Sequence, residues 1–560
     1  MAKKDEWIHF GRVCDQNKTK ESNFEAPWNG RLRTLLLEIE NQALVDVWKE
    51  SQDYLHASRI GFAHTYVIST ADPVRFPEDN RAIHQVDTIG LESYQSFGRS
   101  SSYFMQRYRD GEGRSSMSEL YNWYCPSAVH ARLGFWQNAI HSKCFYNFAL
   151  YHIFKYASSE YLWVWSKDRW EEFRRVYKRV AENKEYYKIV PSAANIAVLF
   201  SGRSSSVVRV STYQQAPVPE RNDQNAMSIW VAFGQIHRQA DVVYADGVTV
   251  EKLSKYKILY LPDSKFLADK DMESIRTWVR NGGVLIAEGG SSLFDGSSLK
   301  MRRNYALNDV FGVDYKKTKF LAEDESDTFC RRRGEKVASF KFVADLEQRY
   351  HLNDSVHRDL KPVKSVKEII IGKEAAEFMP GIAAGTKIEF DAALGVDDVK
   401  ETTAKRIASY KDGSGAIYVN EYGSGRCYFF TSQYPLMGHI TSEWEMMPNK
   451  WEFWRNVIPM LSAVVDGAYA KCGASPAVIA KGFNTDVEVT VDDYGDKYVV
   501  HMLDYNVKTK GVKNASLSIP GNREIKRVFY PDTNTEVSAA GRQIALRDFV
   551  NYDMIVVEFK

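Results

Sequence analysis

The chain has 560 residues, 44% hydrophobic and 26% charged, the profile of a globular protein too long for a single core. Its 74 Lys and Arg nearly balance 72 Asp and Glu, so neither a nucleic-acid nor a membrane-surface partner is implied. No apolar run approaches the length of a transmembrane helix, and the opening MAKKDEWIHFGR lacks the apolar core of a signal peptide.

Residues 1–28 carry no clear period and read as an irregular arm. Apolar residues at Leu32, Leu35, Leu36, Ile39, Ala43, Val47, Trp48 and Leu55 fall at helical spacing. Strands are predicted at 61–70 and 85–94, separated by a loop with Pro73 and Pro77. SSYFMQRYR then reads as a helix and 115–120 as a short third strand. A helix over 131–144, a fourth strand over 145–154 and a strongly amphipathic helix over 167–190 follow. Strand and helix thus alternate four times, the mark of parallel α/β structure.

Pro191 opens a second unit. Strands at 194–200, 240–246, 255–262 and 284–290 are interleaved with helices from Ala226 and from Asp269. This is a flavodoxin-like or class I amidotransferase-like layout. An irregular, strand-bearing insertion is expected from about 318 to 405, with Arg331–Arg333 as a solvated basic loop. A hairpin over 415–435 turns at Gly423-Ser424-Gly425, and a helix ends this unit near 470. From 471 to the end, short alternating runs describe an antiparallel β-sandwich.

Cys14, Cys125, Cys144, Cys330, Cys427 and Cys472 are scattered, without C-x-x-C or ligand spacing. Free thiols in a reducing cytoplasm are expected, with no metal, no cofactor and no disulfide framework. The second unit has no nucleophilic Cys elbow where an amidotransferase would carry one. Its strand ends in AEGGSS, which points to assembly rather than glutaminase chemistry.

One stretch carries chemistry. GRSSMSELYNWY, residues 113–124, ends a strand-like run in a lone carboxylate, Glu119, with Trp123 and Tyr124 just behind it. Aromatic faces beside a carboxylate suit a sugar ring. Further along comes Trp136-Gln137-Asn138-Ala139-Ile140-His141. Together with KYKILYLP, VRNGGVLIAEG and YDMIVVEF, these runs resemble the family-42 β-galactosidases. The resemblance implies the second half of a (β/α)8 barrel, strands five to eight only, over residues 1–190. It implies a trimerisation-type flavodoxin-like domain over 191–470 and a β domain over 471–560. It makes Glu119 the nucleophile and Glu92, Tyr94, Trp123, Trp136 and His141 sugar contacts. Packing accounts for Trp123, Trp136 and His141 equally well.

The chain departs from the family in one large respect. Strands one to four, and the Asn-Glu pair that brings the acid/base, have no counterpart. Half a barrel leaves two open edges and an exposed inner face. A partner polypeptide is therefore expected to supply strands one to four together with the acid/base, in a trimer-based complex acting on a glycoside. The competing expectation is a non-catalytic assembly or carbohydrate-binding protein derived from such an enzyme.

Overall fold

The computed structural model describes residues 64–69, 88–93, 103, 115–120, 128–144, 167–202, 204, 221–245, 247–296, 301–319, 366–391, 396–432, 439–440, 451–452 and 455–560, with ten positions between 42 and 58. The expected fourth strand at 145–154 and most of the helix at 101–109 lie outside these residues, as does the first part of the insertion.

The first sheet has four strands in the order β1 (His64–Ser69), β2 (Thr88–Ser93), β3 (Ser115–Leu120) and β4 (Lys143–Cys144). Every neighbour pair is parallel. Parallel neighbours need crossovers, and α1 (Ala128–Gln137) lies between β3 and β4. β4 starts two residues earlier than the sequence reading placed its strand. The cause is a π-helical turn, Asn138–Ser142, that continues α1 and ends at Lys143 in the left-handed region (φ 57°). Widening the last turn lets the chain leave the helix directly into the sheet. α2 (Lys167–Glu182) then packs against α1.

The central sheet has nine strands. Its parallel part comprises β5 (Ile196–Phe200), β6 (Ala240–Tyr244), β7 (Ile258–Leu261), β8 (Val284–Glu288) and, further along the chain, β13 (Gly425–Phe430). They lie in the spatial order β6-β5-β7-β8-β13. That is the 2-1-3-4-5 order of doubly wound sheets. β5 to β8 are near-continuous Val, Ile, Leu and Ala runs because both faces are covered. α3 (Arg221–Gln235) and α5 (Val457–Cys472) cover one face through Ile229, Trp230, Phe233, Met460 and Val464. α4 (Asp269–Arg280) covers the other through Met272, Ile275 and Trp278.

β9 (Val366–Ile371), β10 (Lys387–Asp391), β11 (Lys405–Tyr410) and β12 (Gly415–Tyr422) extend this sheet antiparallel beyond β13. The later part of the expected insertion is thus an ordered wing of the same sheet. β12 and β13 form the hairpin read from the sequence, with Gly423 at φ 59° in its turn. A Cβ at Gly425 would overlap the carbonyl oxygens of Val279 and Gly283, so only glycine lets β13 approach the end of α4.

The last five-stranded sheet runs β14 (Val487–Asp493), β15 (Lys497–Asp504), β18 (Tyr552–Phe559), β16 (Ile525–Tyr530) and β17 (Thr535–Glu536). Period-two alternation divides its side chains. Val487, Val489, Val500, Met502, Ile555 and Val557 share a core with a three-stranded sheet that includes Leu517 and Ile544. The opposite face, through Val499, Leu503, Met554 and Val556, packs on α1 and α2.

Replacing Gly425 by alanine is expected to destabilise the protein by about 1–3 kcal/mol, because backbone must shift to admit the methyl group. Thermal unfolding of the variant would show a lowered midpoint, and an unchanged midpoint would contradict the close approach.

Candidate active site

The ends of the first-sheet strands bring together the acids singled out in the sequence. β2 and β3 pair without slippage from Thr88↔Ser115 to Ser93↔Leu120, and Glu92 aligns with Glu119. β1 contributes Ser69 to the same rung, through Ser69↔Glu92. Both glutamates stand next to the last residue of their strands, at the carboxyl end of a parallel sheet. In closed parallel barrels this is the end that holds the chemistry. Tyr94 and Trp123 lie outside the described residues.

Trp136 and His141 are placed elsewhere. Trp136, on α1, stacks on Tyr552 of β18 with ring centroids 3.8 Å apart and planes 19° from parallel. The Arg179 guanidinium of α2 lies 5.6 Å from the Trp136 ring and 5.2 Å from that of Tyr552. His141, in the π turn, is fully buried, 3.3 Å from the Glu488 carboxylate of β14. Lys143, the first residue of β4, forms an ion pair with Asp492 in which neither side chain is more than 1% exposed. The Trp-Gln-x-x-x-His pattern therefore serves a joint between the first unit and the C-terminal sheet.

The joint extends well beyond these pairs. His501 of β15 lies 3.2 Å from Asp492 and 2.9 Å from the Tyr552 hydroxyl, which is 2.8 Å from that of Tyr187. The Tyr505 hydroxyl donates to Glu488. Burial pushes the Tyr187 and Tyr552 phenols well up, so both are neutral donors across the physiological range. At the margin, Arg179 pairs with Asp553 (2.9 Å) and Asp532 (3.2 Å), and Arg547 pairs with the same two acids. Partial burial acts to raise the Asp532 carboxyl. Its hydrogen bond from Arg547 and the Arg179 charge outweigh that and hold it below the usual carboxylate range.

Sequence reasoning did not single out Glu488, Asp492 or His501. In VEVTVDD the polar residues alternate with valines, which reads as the solvent face of a strand. Here that face meets α1 and the π turn. The only signal was a matching set of basic side chains, His141 and Lys143, far away in the chain.

In the second unit β8 ends at Glu288, fully buried, with the Tyr260 hydroxyl donating to it at 2.6 Å and the Asn225 amide beside it. No cysteine occupies this strand end. Among the described residues no group of three or more His, Cys, Asp or Glu is arranged to hold a metal ion, and no helix is long and apolar enough to cross a membrane.

No family model matches the sequence, and no curated protein matches it. Solved structures do. A catalytic mutant of a GH42 β-galactosidase from G. stearothermophilus aligns at 14% identity and TM-score 0.60, over 89% of this chain and 63% of its own. A β-galactosidase from Bacillus circulans sp. alkalophilus aligns at 13% identity and TM-score 0.64, over 94% and 67%. One from Rahnella sp. R3 aligns at 13% identity and TM-score 0.62, over 95% and 69%. The chain therefore has a family-42 β-galactosidase-like fold, and it spans less than two thirds of the length of the first of these enzymes.

Two outcomes follow from the joint. Lys143→Met takes the ammonium away from the buried Asp492 carboxylate, which keeps His501 3.2 Å away, and is expected to cost about 3–5 kcal/mol in urea denaturation. Adding Asp492→Leu is expected to restore part of that stability, and no restoration would show that the ion pair is not what the single change breaks. Acid acts on the Asp532 contacts. A carboxyl depressed in the folded state stabilises above its unfolded value, about 3.9, and that contribution is lost as pH falls further. Amide exchange in α2 is expected to quicken as pH drops below that value, relative to α4, after correction for intrinsic rates. Equal behaviour of the two helices would contradict the assignment.

Proposed function

We propose that this chain is the nucleophile-bearing part of a split, retaining, β-galactosidase-like glycoside hydrolase. The observation that carries the reading is Glu119 at the carboxyl end of a parallel strand, in a fold similar to that of family-42 β-galactosidases. Glu119 attacks the anomeric carbon of the sugar. The glycosidic C–O bond breaks as the acid/base carboxyl delivers its proton to the leaving oxygen. Water, giving its proton back to that carboxyl, then displaces Glu119 and frees the sugar.

A partner polypeptide supplies the barrel strands one to four and the acid/base carboxyl. Support comes from the sequence, whose Asn-Glu dipeptide, Asn420-Glu421, lies on β12 of the central sheet and not ahead of β1, and from the parallel sheet of four strands found among the described residues. The flavodoxin-like unit serves assembly into a trimer-based complex, since β8 carries no nucleophile at its end. Tyr94 and Trp123 remain proposed sugar contacts beside Glu119. Trp136 and His141 fit a supporting role, because both are engaged with the C-terminal sheet.

The same missing acid favours a second reading, a non-catalytic assembly or carbohydrate-binding protein. Hydrolysis of 4-nitrophenyl β-D-galactopyranoside separates the two. The pure chain alone is expected to release no nitrophenol, and the complex isolated with its native partner to release it steadily. Glu119→Gln in that complex is expected to lower kcat by about 10³-fold or more. Full activity of the variant complex would remove Glu119 from the nucleophile role, and an inert wild-type complex would favour the second reading.

A further inference from the structure

The row of buried side chains at the joint has a direction. Asp492, paired with the Lys143 ammonium, carries no proton, so it can only accept. His501 lies 3.2 Å from it through Nε2, which must therefore hold the ring hydrogen. The other ring nitrogen, Nδ1, is 2.9 Å from the Tyr552 hydroxyl, and that hydroxyl is 2.8 Å from the hydroxyl of Tyr187. All four side chains are buried. Val499 and Leu503, two residues either side of His501 on β15, share its face and pack on α1 and α2.

We propose that His501 is an acid-sensitive latch. It is held uncharged by a one-way chain of hydrogen bonds, Tyr187 to Tyr552 to His501 to Asp492, and a proton taken up on Nδ1 loosens α1 from the C-terminal sheet. In the uncharged ring Nδ1 accepts the Tyr552 hydrogen. A proton from solvent turns Nδ1 into a donor, facing a hydroxyl that already donates towards it. Tyr552 must then turn its hydrogen towards Tyr187, which must redirect its own. Charging one ring thus reverses every link on that side of the chain.

The charges around the ring favour the uncharged form. On the Nε2 side, Lys143 of β4 already neutralises Asp492 of β14. The same ammonium lies 5.9 Å from the Tyr187 ring, which is 5.5 Å from that of His501. On the Nδ1 side, the Arg179 guanidinium of α2 lies 5.2 Å from the Tyr552 ring and is paired with Asp553 and Asp532. Burial keeps both phenols protonated, so neither offers a negative charge. Further along β14, Glu488 is met by His141 and Tyr505, and Arg132 of α1 is bound to Glu172 and Asn551. An imidazolium at His501 would share one buried carboxylate with Lys143.

Nitrogen-15 spectra of the histidine rings in the full chain, with His501 assigned through His501→Asn, read the tautomer directly. The expected result at neutral pH is a hydrogen on Nε2 and a bare Nδ1. A hydrogen on Nδ1, alone or together with one on Nε2, would overturn the latch. Tyr552→Phe keeps a ring against Trp136 and removes the hydroxyl that faces Nδ1. It is expected to raise the pH at which His501 charges by about 1 unit, with Tyr187→Phe acting in the same direction and less. A shift to lower pH, as when a charged ring donates to Tyr552, would overturn the proposal. So would an unmoved titration, which is what merely structural tyrosines would give.

Amide exchange reads the loosening itself. A base kept uncharged in the folded state contributes stability above its unfolded value, about 6.5, and that contribution is lost as pH falls below it. Exchange in α1, corrected for intrinsic rates, is therefore expected to quicken relative to α4 between about pH 6.5 and about pH 4.5, above the range in which Asp532 acts. The change is expected to be smaller in Tyr552→Phe, whose folded and unfolded values lie closer together. Helices that respond alike over that range, or a variant that responds as the wild type does, would overturn the latch.

Discussion

A parallel sheet cannot end comfortably in water. Each edge strand offers a row of backbone donors and acceptors, and a buried group left without a partner costs about 1–3 kcal/mol. Among the described residues, β1 and β4 each have one neighbour only. A doubly wound sheet answers this with helices on both faces and blunted edges, as the central sheet does with its antiparallel wing. Among the described residues the first sheet has no such wing. Its closure is the condition on which a working site at Glu119 depends, because the opposite wall of any sugar pocket must come from the same closure.

The molecule secures the other side of this sheet itself. β3 is held in register by β2 and β4. The beginning of β4 is anchored in turn. It is fixed by what flanks it: a π turn whose His141 meets Glu488, and Lys143 paired with Asp492. Buried ion pairs often contribute little net stability against an apolar alternative, yet they admit one arrangement. The charged row on β14 thus sets where α1 and β4 sit on the C-terminal sheet, and β4 in turn supports the strand that carries Glu119.

Much of the fold was legible where hydrophobic period and punctuation agree. β7 and β8 are apolar runs closed by Pro262 and by Gly289-Gly290, and α4 stops at Gly282-Gly283. The hairpin turn at Gly423 was equally plain. The start of β4 was not, because a π turn has no simple sequence signature and its helix continues an apolar pattern into Ile140. The antiparallel wing was hidden by lysines and glutamates such as Lys367 and Glu368 on β9 and Lys387 on the outermost strand, β10, which blur the alternation. For the site, spacing along the chain found Glu92 and Glu119 separately. Their shared rung is a property of register, which no local pattern encodes. Trp136 and His141 were visible as a motif, but what they touch is more than three hundred residues away.

The central claim is that the first sheet is closed from outside the chain. Hydrogen exchange at the amides of His64–Ser69, compared between the isolated chain and the complex isolated with its native partner, tests it most directly. The account predicts rapid exchange along the free edge of β1 in the isolated chain and strong protection in the complex. Protection already complete in the isolated chain, or unaltered by assembly, would contradict it.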